Sequence, residues 1–446
     1  MLPRKRLLLT IAAAGLVALP AAVLAGLCLG NACERAGQAR GRIPFCSLPL
    51  ELRSLIANGF RDGRSPHVLA VSGPTPVSPH PDFSNAADGS WPSLDDAAPK
   101  RIPLAFAGTG ISPGAEFPEG TTLDALAPSL AEIIGLRRPH PGVRSGEAVV
   151  GIASGETPRL ALLVVWKNVT SRELEQRPQL WPVLRGLMED GAATLQAETG
   201  SLPTDPAAIL TTIGTGALPS DHGITGSLVR NDQGDVVLSW DKGAPFSVVA
   251  ALGDDLDELE DQASRIGLVA TSDTDRGLIG GNWYIEHDRD DFVIEYGGRR
   301  DGETAAAEKL LASGYGSDSS PDLLAVVMEG GIRRLDQELG RIIVAAERAS
   351  SGSFAMAVTS TGSGEPAGPE GVPVSVVEEE VERAVGGNVI EASTPGGFFL
   401  DQDAMTRLDL SDDRVVTALR QVKTEEDEPL FADVFPAIAV TFARYC

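Results

Sequence analysis

The stretch RLALLVVW, residues 159–166, constrains the fold more than any other part of the chain. Residues 160–166 are apolar without interruption, so an extended strand there needs cover on both of its faces. A sheet with helices packed on both sides supplies that cover. IGLVATS, DFVIEY, DLLAVVME and FAMAVTS are further strand candidates, as are VVLSW and FSVVAAL. Between them LWPVLRGLMEDGA has helical spacing and stops near Gly191, and residues 303–312 and 332–349 read as helices. Alternating strands and helices predict an α/β fold with a mainly parallel central sheet and helices on both faces. Earlier in the chain, HVLAV (67–71) and RIPLAFAG (101–108) read as strands, and TTLDALAPSLAEIIGL (121–136) reads as a helix. Both early strands are expected in the same sheet. Residues 72–100 read as a surface loop and 137–158 as a connector.

The N-terminus bears on the compartment. A basic head, MLPRKR, precedes a run without charge from Leu7 to Gly30. As a helix that run would reach roughly 36 Å at about 1.5 Å per residue, enough for a bilayer core of about 30 Å. Residues 1–30 therefore read as a membrane anchor or signal segment. An anchor across residues 7–29, with its basic flank in the cytoplasm, predicts a single-pass protein whose domain is extracytoplasmic. AVLA, ending at Ala25, also suits a cleavage site, which would give a secreted protein. The 446 residues carry 62 acidic and 37 basic side chains, a net charge of −25. That balance excludes nucleic acid as a partner, since phosphate backbones require a basic footprint. Of the four cysteines, Cys28 lies in the apolar run, while Cys33, Cys46 and Cys446 lie beyond it, where disulfides persist outside the cytoplasm. No Cys-x-x-Cys occurs, which argues against a zinc ribbon or a thioredoxin site.

SLPTDPAAILTTIGTGALPSDHGITG, residues 201–226, reads as a capped helix followed by a turn. Pro206 suits the first helical position, and either Thr204 or Asp205 can cap it. His222 is expected to form local hydrogen bonds in the turn. EHDRDD (286–291) lacks the glycine and spacing of a calcium loop and reads as solvated. GDDLDELED (253–261), VEEEVER and KTEEDE read as solvated acidic faces.

The same stretch resembles the nucleophile helix and following turn of the alkaline phosphatase superfamily, close to its nucleotide pyrophosphatase/phosphodiesterase branch. LWPVLRGLMEDGA resembles that family's first helix, and FAMAVTSTGSG lies where the family has a strand ending in TSDHG. PLAFAGTGI and DALAPSLAEIIGL resemble its last third, yet precede the first strand here. The resemblance therefore implies a circularly permuted order. Residues 47–150 correspond to the family's C-terminal third and 159–446 to its N-terminal part, with a small peripheral cap at about 232–318. It also implies Thr204 as the nucleophile and two zinc ions as cofactors. The ligands depart from the pattern. Trp166 or Lys167 stands at the first aspartate, Thr361 and Gly362 at the Asp-His pair, Asp88 at a histidine, and Ala207 at an asparagine. Only Asp88, Asp205 and Glu329 remain as weak metal candidates. A threonine without metal or base is a poor nucleophile.

The expectation is a non-catalytic member with a binding or scaffolding role in the envelope, holding no cofactor, its protein or ligand partner unnamed by the sequence. The alternative is an active zinc-dependent phosphodiesterase or phosphatase that uses Thr204. Permutation further implies that the chain ends meet, and hence a disulfide from Cys446 to Cys46 or Cys33, with Cys33–Cys46 as another pairing.

Overall fold

Alternate residues of the Leu160–Trp166 strand enter two different cores. Ala161, Leu163 and Val165 face one layer, with Leu126 and Leu130 of the Leu126–Ile133 helix and Ile209 and Ile213 of the Pro206–Thr215 helix. Leu160, Leu162, Val164 and Trp166 face the other, with Leu335, Leu339 and Ile342 of the Ile332–Ala349 helix. The strand is buried along its whole length, as an uninterrupted apolar run requires.

The computed structural model describes residues 45–78, 91–94, 101–259, 263–281, 283, 290–295, 301–362, 371–443 and 446. Its central sheet has seven strands in the order Ala192–Glu198, Arg101–Gly108, Phe354–Ser360, Leu160–Trp166, Asp322–Met328, Ile266–Ala270 and Asp291–Ile294. Neighbours pair in parallel from Phe354–Ser360 to Asp291–Ile294. Arg101–Gly108 is antiparallel to both of its neighbours. Six strands therefore point one way and one is reversed, which is the mainly parallel α/β sheet expected from the sequence.

Three expectations need correction. Val68–Ser72 does not join the central sheet. It pairs antiparallel with Gly397–Leu400 and Phe431–Pro436 in a separate four-stranded sheet completed by Ile390–Thr394. Its Val68 and Ala70 fill a third core with Phe398, Val434 and Val377. A five-residue apolar strand carries no mark of which sheet will cover it. Residues 232–318 do not form a separate cap, because Ile266–Ala270 and Asp291–Ile294 extend the central sheet and the Gly302–Ala312 helix packs on Ile332–Ala349. FSVVAAL forms no strand, since Phe246 and Val248 are exposed and the chain is irregular there.

Residues 45–446 form one compact unit, within which its first and last described segments meet. Ala437 N–H donates to the His67 carbonyl at 2.8 Å, and the Phe45 and Phe435 rings lie 5.0 Å apart. Cys446 is bonded to Cys46, with Cα atoms 5.1 Å apart across a separation of 400 residues. Cys33, the other partner expected, lies outside the described residues, as do residues 7–29. Among the described residues no helix is long and apolar enough to cross a membrane.

Cross-linking residues so far apart in sequence limits the unfolded chain strongly. Cys446→Ser is expected to lower the unfolding free energy by about 2–5 kcal/mol. Denaturant titration with and without reductant checks this: reduced wild type should match the variant.

Candidate functional site

The C-terminal ends of the parallel strands lie side by side, because Met328, Trp166 and Ser360 are in register. The next residues, Glu329, Lys167 and Thr361, therefore form a row along one edge. Ala192–Glu198 points the same way and brings residues 199–205 to that edge. Open α/β sheets bind ligands at such an edge.

Thr204 is fully buried there, at the mouth of the Pro206–Thr215 helix. The loop before it packs against the N-terminal third of the chain. Leu202 N–H donates to the Leu55 carbonyl at 2.9 Å, and Asn58 Nδ2 donates to the Gly200 carbonyl at 2.9 Å. A Cβ on Gly59 would come within 1.9 Å of the Leu202 carbonyl oxygen, so only glycine allows that approach.

Asp205, not Thr204, caps the helix. Its Oδ1 accepts from Ala207 N–H at 2.9 Å and from Ser227 Oγ at 2.8 Å, and its Oδ2 accepts from Ser227 N–H at 2.8 Å. Desolvation nonetheless raises its pKa to about 6, with those hydrogen bonds opposing the rise. The carboxylate occupies the helix N-terminus, where an anion is favoured, as an internal group.

Lys167 is buried at the end of the central strand, with its Nζ 2.9 Å from Asp275 Oδ1. Asp275 Oδ2 in turn accepts from Thr271 N–H, Thr271 Oγ1 and Ser272 N–H at 2.9–3.0 Å. Asp275 lies in the Asp273–Leu278 turn, which packs directly on the Pro206–Thr215 helix. There a Cβ on Gly277 would fall 2.0 Å from Thr211 Oγ1. An ammonium and a carboxylate thus lie together at the row of strand ends.

The remaining expected positions are also filled by structural bonds. Thr361 is buried, its N–H donating to the Trp166 carbonyl at 3.1 Å and its Oγ1 accepting from Asn168 N–H at 3.0 Å. Ala207 is buried, whereas Glu329 is exposed. Asp88 and residues 286–289 lie outside the described residues. His222 makes the local bonds expected of it. Its Nδ1 accepts from Ile224 N–H at 3.1 Å, which leaves Nε2–H to donate to Thr212 Oγ1, also at 3.1 Å. Burial lowers its pKa to about 3.

Residues 253–257 of the acidic stretch turn inward, contrary to the solvated reading of 253–261. Asp255 is buried and paired with Arg138 Nε at 2.7 Å and Arg144 Nη2 at 2.9 Å. Both arginines also donate to the Thr215 carbonyl, which ends the Pro206–Thr215 helix. Arg61 holds the following turn through the Ser220 and Asp221 carbonyls at 2.9 and 2.8 Å. Each of these partners lies more than 70 residues away in sequence, and composition gives no signal for them.

Two groups that share no motif thus define the class of site: a helix mouth sealed by its own carboxylate, and a strand end bearing a paired ammonium. Among the described residues no cluster of three or more His, Cys, Asp or Glu side chains could hold a metal ion.

No family model matches the chain. A calcium-transporting ATPase of Myroides odoratus is 31% identical over 97 residues, which span 22% of this chain and 17% of that protein. Among solved structures, the chain is similar to wild-type alkaline phosphatase PafA at a TM-score of 0.43 and 13% identity, covering 59% of this chain and 76% of that one. It is also similar to murine ectonucleotide pyrophosphatase/phosphodiesterase 5, at a TM-score of 0.34 and 14% identity over 44% of this chain and 55% of that one. A phosphonoacetate hydrolase from Sinorhizobium meliloti 1021 matches at a TM-score of 0.30 and 16% identity, over 46% and 56% respectively. These three solved structures belong to the alkaline phosphatase superfamily.

Two predictions follow from the buried groups. Lys167→Met leaves Asp275 charged and unpaired, and should cost about 3–5 kcal/mol of stability. Lys167→Met/Asp275→Asn should cost less than the two single changes added together, as a double-mutant cycle by denaturant titration would measure. For His222 the folded pKa lies below the unfolded value, so its contribution is present above pH 6.5 and is lost as pH falls toward 3. His222→Asn keeps an acceptor for Ile224 N–H, and should flatten that acid limb by on the order of 4 kcal/mol in a pH series of melting curves.

Proposed function

We propose that this chain is an alkaline phosphatase-like protein that does not catalyse phosphate-ester hydrolysis. On this reading it is a membrane-anchored pseudoenzyme whose domain lies outside the cytoplasm in a binding or scaffolding role. The observation that carries the reading is the Lys167 ammonium, buried at the end of the central strand and paired with Asp275. The resemblance puts a metal-binding aspartate at Trp166 or Lys167. A fixed cation there repels a divalent ion instead of binding it. The residues present do not fit a zinc site, which needs three or four ionised or imidazole ligands around one point. Asp205 is committed to its helix and Ser227, Thr361 to the backbone of Asn168, and Glu329 faces solvent. The Lys167–Asp275 pair fills the strand end with charges of its own.

Circular permutation is part of the same proposal. It is supported by the position of Arg101–Gly108 between Ala192–Glu198 and Phe354–Ser360, and by the joined chain ends.

An active enzyme with Thr204 as nucleophile is the second reading. Its support is the threonine's place before Pro206 at the mouth of a helix of ten residues. Purified protein is expected to carry less than about one zinc per two chains, because the ligand set is missing. Aryl phosphate mono- and diesters should be hydrolysed no faster than background. Stoichiometric zinc, together with activity that Thr204→Ala abolishes, would falsify the pseudoenzyme reading.

A further inference from the structure

We propose that the end of the domain carrying the Cys46–Cys446 bridge is its membrane-facing surface, seated in the interface of an uncharged phospholipid layer through Leu50, Ile438 and Phe442. The inference rests on the anchored reading above and names the surface that reading leaves open.

Of the thirteen large apolar side chains exposed among the described residues, three lie close to the bridge in the chain. Leu50, Ile438 and Phe442 are 60%, 56% and 52% exposed. Leu50 follows Cys46 by four residues, Phe442 precedes Cys446 by four, and the two cysteines are bonded. The Ala437–Thr441 helix packs on the Leu50–Asn58 helix, and Ile438 and Phe442 are one turn apart. An exposed cluster of this kind marks a contact surface.

The sequence upstream argues for lipid as the occupant. Fourteen residues separate the charge-free run Leu7–Gly30 from Phe45, where the described chain begins. Fourteen residues reach at most roughly 50 Å even when fully extended, so residues 45–50 stay within that distance of whatever surface holds the run. A tethered patch needs little affinity of its own, since its effective concentration at the surface is high. The linker 31–44 holds three arginines and one glutamate, in contrast to the net charge of −25 for the whole chain. A domain so acidic is repelled by an anionic surface, which selects a zwitterionic one.

The test uses the full chain reconstituted in phosphatidylcholine vesicles that carry a photoreactive acyl-chain probe, with adducts mapped by mass spectrometry. Adducts are expected in residues 7–30 and also in the peptides holding Leu50 and Ile438–Phe442, while peptides bearing Val150 or Val344 stay unlabelled. Leu50→Glu should cut labelling of residues 45–58 at least about fivefold and leave that of residues 7–30 unchanged. This variant places an acid in the first turn of its helix, where the dipole favours it, so the fold is retained. Ile438→Glu gives the same reading from the other helix, and retention of the Cys46–Cys446 bridge confirms folding of each variant. Labelling confined to residues 7–30 overturns the proposal while the anchored reading stands. Cross-links between copies at Ile438 without lipid adducts also overturn it, by assigning the face to a second chain. No labelling anywhere defeats the anchor and this surface together.

Discussion

Burial of both faces of the Leu160–Trp166 strand governs the molecule. Five of the other six strands of the central sheet run in its direction, and helices from distant parts of the chain cover it. The strand's apolar length ends abruptly at Lys167. A charge that follows seven buried residues has to be neutralised where it stands, since an isolated ammonium in a low-dielectric interior costs several kcal/mol. Asp275 meets that need, and its own second oxygen is held by three donors. The ion pair therefore ties the turn after Ile266–Ala270 to the centre of the sheet.

Buried carboxylates recur as caps. Asp205 holds the start of its own helix and the chain at Ser227. Asp336, on the Ile332–Ala349 helix, accepts from Val183 N–H and Leu184 N–H, and so caps a different helix, Pro182–Asp190, that has no cap of its own. Asp322 likewise accepts from backbone donors, Arg265 N–H before the Ile266–Ala270 strand and Gly316 N–H beyond the Gly302–Ala312 helix, without capping a helix. Burial raises the pKa of all three, so each exchanges solvation for backbone donors. An acidic chain of this kind is not simply coated with charge, since part of its carboxylate complement fixes backbone geometry.

Six of the seven central strands were legible in the sequence because apolar runs mark them, whereas Ala192–Glu198 mixes polar with apolar residues and was missed. The Gly302–Ala312 and Ile332–Ala349 helices begin and end within a residue of the expected limits. The second sheet was less legible. Phe431–Pro436 and Ile390–Thr394 are short and mix polar residues with apolar ones, and their pairing with Val68–Ser72 joins opposite ends of the chain. The candidate site divides along the same line. Thr204, Pro206 and His222 are marked by local spacing, and the departures at Lys167 and Thr361 show against the family's motif. Asp275, which gives Lys167 its meaning, lies in the TSDTDRG turn (271–277), which is indistinguishable from a loop until the fold closes. Asp255 is hidden in the same way, since an acidic helix looks solvated when its arginine partners are far off in sequence.

The pairing of Val68–Ser72 with Phe431–Pro436 also sets the order of events during biosynthesis. The Val68–Ser72 strand has no sheet partner until residues 397–436 arrive. With synthesis at about 5–20 residues per second, the 400 residues between the bridged cysteines take roughly 20–80 s to appear. The central sheet can assemble within that interval, from segments that are all upstream of residue 361. The early strand and the Cys46 thiol meanwhile wait unpaired, a window in which a chaperone or thiol oxidoreductase has access to them. Arrival of residues 431–446, not collapse of the central core, is therefore the step that shuts this domain.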